Sequence, residues 1–389
     1  MKTTSVPVAY MPLIDAAPLI VGQEMGFAEA EGISLELIAA PSWSSVRDML
    51  AFGRVDLAHL LSVVPVAMAL RLGGVTNPMS AVSVLSVNGN VIGVSRALEA
   101  RLRAAGYPFD FADAAAAGAA LAKVTQGGLT IGVPFPFSMH VELLQVWRSS
   151  TPLASVPLDI RTVPPPMMAQ ALASGEIDAF CVGEPWGSVS VENGAGALLL
   201  PGRAIWSFAP EKVLATRADW AETEPHLLGR VMRTVWRAGK WLADPSSRTA
   251  AAELLSRPRW LDVPAELVDR ALTGELAISP DGEVRDVPGF LEFHHGAANF
   301  PWRSQGKWIA TQLATRTGMD PSAAARQAAD VFRSDLYRAA LDGTGADMPG
   351  ASEKLEGSLI HPTAVASTRG QMILDTDVFF DGRIFDPTT

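Results

Sequence analysis

Met49-Leu50-Ala51-Phe52-Gly53-Arg54-Val55-Asp56-Leu57-Ala58 is echoed further along the chain by Ala171-Leu172-Ala173-Ser174-Gly175-Glu176-Ile177-Asp178-Ala179-Phe180. Each stretch reads as the last turn of a helix, a glycine in the left-handed position that ends it, and a short turn into a strand opening on Val-Asp or Ile-Asp. One such joint says little, because helix-to-strand joints of this kind are common. Two copies point to two lobes of similar layout.

The surroundings of both copies agree. Val6-Pro7-Val8-Ala9-Tyr10 and residues 33–38, 55–61, 129–133, 158–163 and 177–182 read as strands, and residues 44–52, 139–149 and 167–173 as helices. Strands alternating with helices predict an α/β fold with largely parallel sheets. From about residue 218 the pattern turns mostly helical, with 227–242 and 308–317 the clearest amphipathic segments. Residues 112–122 suit a helix or a surface insertion, and 343–350 a loop. The apolar end, Phe379-Phe380-Asp381-Gly382-Arg383-Ile384-Phe385-Asp386-Pro387, should dock on the body. We expect one lobe from residues 1–90 plus 205–389 and the other from residues 91–204.

Composition narrows the function. The chain has 389 residues, 48% hydrophobic and 19% charged, which suits a globular protein with two cores. A net charge of −10 argues against a nucleic-acid surface, which needs clustered Lys and Arg. Any anion must then be held by local donors against the overall field. The single cysteine, Cys181, excludes an intrachain disulfide. No run approaches the ~18 apolar residues of a membrane span. Met1-Lys2-Thr3-Thr4-Ser5 leads straight into the first strand with no signal-like apolar stretch, so the sequence reads as cytoplasmic.

Catalytic patterns are missing. None of the six histidines, His59, His140, His226, His294, His295 and His361, has zinc-site spacing, so no metal is expected. There is no nucleophile elbow, phosphate loop or dinucleotide fingerprint, and no cofactor is expected. Glu184 in Gly183-Glu184-Pro185-Trp186 lacks a second carboxylate at a recognisable spacing and suits a cap or a cleft wall. Cys181 reads as a small core residue.

A different group of residues suggests anion binding. Trp43, after Pro41-Ser42, and His140, after Ser138, stand at helix starts, where unpaired N–H groups and the positive end of the dipole favour an anion. Asn88-Gly89-Asn90 sets amides around a tight turn. Lys212 precedes the apolar run Val213-Leu214-Ala215. Each has a plainer explanation: a lone Trp is usually core, a lone His a satisfied interior or surface group, and a Lys beside a Glu solvated.

In order along the chain, Pro41-Ser42-Trp43-Ser44-Ser45-Val46-Arg47-Asp48, Ala58-His59-Leu60, Val87-Asn88-Gly89-Asn90, His140-Val141-Glu142-Leu143-Leu144-Gln145-Val146-Trp147, Gly183-Glu184-Pro185-Trp186, Pro210-Glu211-Lys212-Val213-Leu214-Ala215-Thr216-Arg217-Ala218-Asp219-Trp220 and Phe300-Pro301-Trp302-Arg303-Ser304 form a series. The series resembles the nitrate-binding NrtA and NasS families, relatives of the bicarbonate-binding CmpA, over nearly the whole chain. The resemblance implies a two-lobed type II periplasmic-binding-protein-like fold and a non-enzymatic protein. It also implies ligand contacts from Trp43, His140 and Lys212. Asn90 is added as a fourth contact, although transport members carry a longer amide there.

The chemistry is consistent with that resemblance. Nitrate is flat, weakly basic and singly charged, and needs a few fixed donors and a cation in a dry cleft. Without an export signal, the favoured member is the NasS-type cytoplasmic nitrate and nitrite sensor. By resemblance, that sensor sequesters a NasT-type RNA-binding antiterminator until the anion arrives, without touching nucleic acid or membrane itself. The alternative is the receptor of an ABC transporter for nitrate or another small oxyanion. A third reading, an enzyme of pyrimidine or thiamine-precursor metabolism, would need a reactive His or Cys facing the cleft.

Overall fold

The computed structural model describes residues 3–74, 77–125 and 127–388; Met1 and Lys2 of the opening stretch lie outside them. Among the described residues, ten longer strands and one two-residue strand build the two main sheets. The longer ones are β1 (Thr4–Tyr10), β2 (Ile33–Ala39), β3 (Leu57–Leu61), β4 (Met79–Asn88), β5 (Asn90–Ser95), β6 (Leu129–Val133), β7 (Leu158–Thr162), β8 (Ala179–Gly183), β9 (Gly196–Pro201) and β10 (Pro210–Arg217). The first sheet runs β2-β1-β3-β10-β4, with the short strand Leu291–Glu292 at its β4 edge. The second runs β7-β6-β8-β5-β9.

The two orders correspond term for term. In the first sheet β1 pairs parallel with β2 and β3, and β10 pairs antiparallel with β3 and β4. In the second, β6 pairs parallel with β7 and β8, and β5 pairs antiparallel with β8 and β9. The antiparallel strand of each sheet is the one reached by crossing from the other. The chain leaves the first sheet at Asn88, enters the second at Asn90, and returns between Pro201 and Pro210. This is the two-lobed α/β periplasmic-binding-protein fold. Asn90, placed last in the first lobe by the sequence reading, is the first residue of the second sheet's crossing strand.

The sequence echo is a pair of matching helix ends. Gly53 and Gly175 take φ of 68° and 74°, a conformation that an L side chain would strain. Gly53 N–H donates to Leu50 O at 3.1 Å and Arg54 N–H to Met49 O at 2.8 Å. Gly175 N–H and Glu176 N–H donate likewise to Leu172 O and Ala171 O, at 3.3 and 3.0 Å. These are the two bonds of a Schellman motif. The aspartates that follow tie each joint to the corresponding strand of its sheet, β1 or β6: Asp56 N–H donates to Pro7 O and Asp178 N–H to Thr130 O.

Strands β3, β4, β8 and β9 are buried along their whole length, because helices cover both faces of each sheet. The late helical region includes Pro225–Leu242, whose Leu228, Val231, Met232, Val235 and Leu242 form one buried stripe at helical spacing. Residues 114–124 are a helix and not a loose insertion. The tail docks: Phe379 stacks on Trp206 with ring centroids 4.7 Å apart, and Trp206 Nε1 donates to Asp377 O.

Candidate functional site

Two helix starts face the cleft, one from each lobe. Ser42 caps the helix Trp43–Ala51 by accepting from Ser45 N–H at 3.2 Å, which fixes Trp43 at the first helical position. Ser138 caps the helix Met139–Ser149 through Val141 N–H at 3.4 Å and donates its own hydroxyl to Phe135 O, which places His140 in the first turn. Trp43 and His140 are each 1% exposed. Asp15 lies in the short turn Ile14–Ala16, directly before the helix Ala17–Glu24. That helix follows β1 as Met139–Ser149 follows β6, so Asp15 and His140 occupy matching places at the carboxyl ends of matching strands.

The strand β10 brings the charge. Lys212 Nζ stands 2.7 Å from Asp15 Oδ2 and 3.0 Å from Glu211 Oε1, and neither Lys212 nor Glu211 is exposed to solvent. The plain reading of a Lys beside a Glu as solvated is overturned, because the crossing strand runs through the interior and carries both residues with it. Asn90 Nδ2 donates to Glu211 Oε2 at 2.9 Å. His140 Nδ1 approaches Glu211 Oε1 at 3.2 Å, at an angle too poor for a hydrogen bond. His59 on β3 sets Nε2 3.0 Å from Asp15 Oδ1, also off line, while its Nδ1 accepts from Met11 N–H at 3.4 Å. Trp43 lies beside both groups: its ring centroid is 5.4 Å from Lys212 Nζ and 5.4 Å from the His59 ring.

The cluster therefore unites all four sequence candidates, Trp43, Asn90, His140 and Lys212, and adds Asp15, His59 and Glu211. Burial raises the Asp15 carboxyl, but Lys212 and then His59 overcome it and hold the group at about 2. Burial lowers Lys212, and Asp15 and Glu211 more than reverse it, so the ammonium stays charged. Glu211 is raised by burial that Lys212 only partly offsets. His140 is held well below the ordinary imidazole range by burial, with Lys212 adding to the effect. His59 is lowered by burial against the pull of Asp15. Both rings are neutral at pH 7.

Several polar atoms here have no hydrogen-bond partner among the described residues: Trp43 Nε1, both ring nitrogens of His140, Asn90 Oδ1 and Ser86 Oγ. Ser86 is the ladder partner of Lys212 on β4, so the two side chains share a face of the sheet. The lobes touch at this point, with Ile14 N–H donating to Glu184 O at 3.0 Å and Trp186 Nε1 to Pro12 O at 3.1 Å. Glu184 caps the helix Trp186–Glu192 by accepting from Ser188 N–H, and Cys181 is core. Among the described residues no group of His, Cys, Asp or Glu could hold a metal ion.

Residues 1–256 match the model of the NMT1-like family. The chain belongs to that family. Within it, this NMT1-like protein is 30% identical over 326 residues to the nitrate import ATP-binding protein NrtC of Synechocystis sp. PCC 6803. That match covers 81% of the chain but only 46% of the relative, so the chain spans about half the length of that protein. It is 28% identical over 398 residues to the nitrate/nitrite binding protein NrtA of Nostoc sp. PCC 7120, covering 100% of the chain and 84% of the relative. Among solved structures it is similar to the periplasmic nitrate-binding protein NrtA from Synechocystis PCC 6803, with a TM-score of 0.83 and 25% identity over 100% of this chain and 96% of that one.

Sequence reasoning missed Asp15 and Ser86 in this NMT1-like chain, and met His59 and Glu211 only as neighbours in motifs. Asp15 sits in Leu13-Ile14-Asp15-Ala16-Ala17, where the one signal was a lone carboxylate in an otherwise apolar run.

Proposed function

We propose that this chain is a solute-binding receptor that closes its lobes over nitrate or nitrite and serves an import system, without catalysing a reaction. The observation that carries the reading is a set of buried polar ring atoms without partners, the Trp43 Nε1 donor and the two ring nitrogens of His140, gathered about the Lys212–Glu211 pair. An unsatisfied buried donor costs about 1–3 kcal/mol. An oxyanion lodged among them supplies the missing acceptors and is itself held by charge-assisted bonds.

The Trp43 indole forms a flat wall with one directional N–H, which suits a planar ligand. Sulfate would turn oxygens toward an apolar face that cannot satisfy them. The relatives named for nitrate import and nitrate/nitrite binding support the same ligand class. The sensor reading, cytoplasmic and with a NasT-type partner, rests on the sequence resemblance alone, and we place the transport receptor ahead of it.

Calorimetry against nitrate, nitrite, bicarbonate and sulfate tests the proposal. Nitrate and nitrite should bind and sulfate should bind far more weakly. Trp43→Phe keeps the wall but removes the N–H, and should weaken nitrate about tenfold, the equivalent of about 1.4 kcal/mol. No heat from either nitrogen oxyanion, or sulfate as tight as nitrate, would overturn it.

A further inference from the structure

We infer that the cleft takes up its anion together with one proton, and that Glu211 is the residue that receives it. The inference rests on the anion-binding reading above and follows from counting the charges already inside the cluster.

Asp15, Glu211 and Lys212 are at most 3% exposed and lie within 3.0 Å of one another through the Lys212 ammonium. Two carboxylates thus face one cation, beside two imidazoles that burial keeps neutral. With both carboxylates ionised, the fixed charge is one negative before any ligand arrives. A monovalent anion beside Lys212 would make it two, in a space where water cannot screen the repulsion. Uptake of a proton restores the original balance.

The geometry selects the acceptor. Asp15 holds Lys212 at the shorter distance, 2.7 Å, while His59 Nε2 lies 3.0 Å from its other oxygen but off line, so it is the ammonium that keeps Asp15 ionised. Glu211 shares Lys212 at 3.0 Å, and its other oxygen receives only the neutral Asn90 amide. The groups facing Glu211 from each packed element are Lys212 on its own strand, Asp15 after β1, Asn90 on β5, His140 on the helix Met139–Ser149 and Cys181 on β8. Only Lys212 is a cation, and Asp15 repels the carboxylate. Burial already favours the neutral acid.

The proton comes from solvent and forms one O–H bond on the Glu211 carboxylate; nothing else is made or broken. A neutral Glu211 is also a hydrogen-bond donor where the carboxylate was an acceptor competing for Lys212. The proton therefore both cancels the repulsion and adds a donor for the ligand.

The test is nitrate calorimetry on the full chain in Tris and in triethanolamine, cationic buffers of different protonation enthalpy, from pH 7 to pH 9. The difference in heat between buffers counts the protons taken up. The expected count rises to about one at the upper end, where affinity falls about tenfold per pH unit by linkage. Glu211→Gln should bring the count to about zero and flatten the pH dependence, whereas His140→Gln should keep the proton even as it weakens binding. Nitrate binding with no proton uptake by the parent, or a full proton still taken up by Glu211→Gln, would overturn the inference while leaving the receptor reading intact. A count lost in His140→Gln and kept in Glu211→Gln would move the proton to the imidazole and overturn the assignment. No nitrate binding by the parent would sink both readings.

Discussion

Asn90 Nδ2 donates to Glu211 Oε2 at 2.9 Å, so the first residue of β5 and the second of β10, the two strands that cross between the lobes, are bonded directly to each other. Because β5 and β10 hold matching places in the two sheets, this bond joins the lobes where the chain itself joins them. It also places an amide on the carboxylate beside Lys212.

The other end of the Asn90 amide is confined by a glycine. A Cβ at Gly202 would lie 1.7 Å from Asn90 Oδ1 and 3.3 Å from Leu143 Cδ1, so Gly202→Ala must displace the Asn90 side chain from its present position. The expected cost is about 1–3 kcal/mol of stability. In an Asn90→Ala background the same substitution should cost clearly less, because the obstructing amide is gone. Urea unfolding of the four proteins in the cycle measures the coupling; strictly additive effects would rule out the contact.

Lys212 neutralises two buried carboxylates, and removing it leaves both without a cation. Lys212→Met should lower stability by about 3–5 kcal/mol near neutral pH. Adding Asp15→Asn to Lys212→Met should recover part of the loss, since Asp15 is the carboxyl that remains ionised. Thermal unfolding at pH 7.5 checks this, and a double variant less stable than the single one would contradict it.

Glu184 provides a pH test. Burial raises its carboxyl to about 7 against the two hydrogen-bond contributions of Ser188. A folded-state value above the ordinary 4.5 means that the native state binds this proton more tightly than the unfolded chain does. The stabilisation is complete below 4.5 and is lost as pH rises through about 7. The full effect is about 3 kcal/mol. Glu184→Gln keeps an acceptor for Ser188 N–H and carries no charge, so its stability should vary less between pH 5 and pH 8 than the parent's. Denaturant midpoints at the two pH values measure the difference.

The parts legible in the sequence were those set by neighbours along the chain. The Gly53 and Gly175 helix ends, the Ser42 and Ser138 caps, and hence the places of Trp43 and His140, are all encoded within a few residues. The crossing strands β5 and β10 were not, because an antiparallel strand inserted into a parallel sheet is a property of topology. Lys212 was found but read in isolation as a solvated residue; its burial depends on β3 and β4 flanking β10. Asp15 has no local signature, since its partners Lys212 and His59 are distant in sequence and meet it only in the folded sheet.

Another contact between the lobes lies away from the crossings. Arg316, near the end of the helix Arg303–Thr317, sets Nη2 2.8 Å from Glu142 Oε1 on the helix Met139–Ser149, and the same nitrogen donates to Pro136 O at 3.2 Å. Its guanidinium also lies 5.9 Å from the centre of the Phe137 ring. Glu142 is 1% exposed, and burial lifts its carboxyl to about 7 despite Arg316. The Arg316 side chain is 28% exposed, so solvent screening keeps the contribution of the pair near 1 kcal/mol. If the pair forms only when the lobes meet, Arg316→Ala should weaken nitrate by a factor of about 3–10 without changing any group at the anion site. The sign of the pH effect follows from Glu142: below about 7 the acid is neutral and attracts Arg316 less, while above it the carboxylate needs the cation. The ratio of parent to variant affinity should therefore be larger at pH 8 than at pH 6, even though both affinities share the proton linkage of the anion itself. Calorimetry with nitrate at the two pH values decides it, and a ratio that is unchanged or reversed would show that Arg316 does not act through an ionised Glu142.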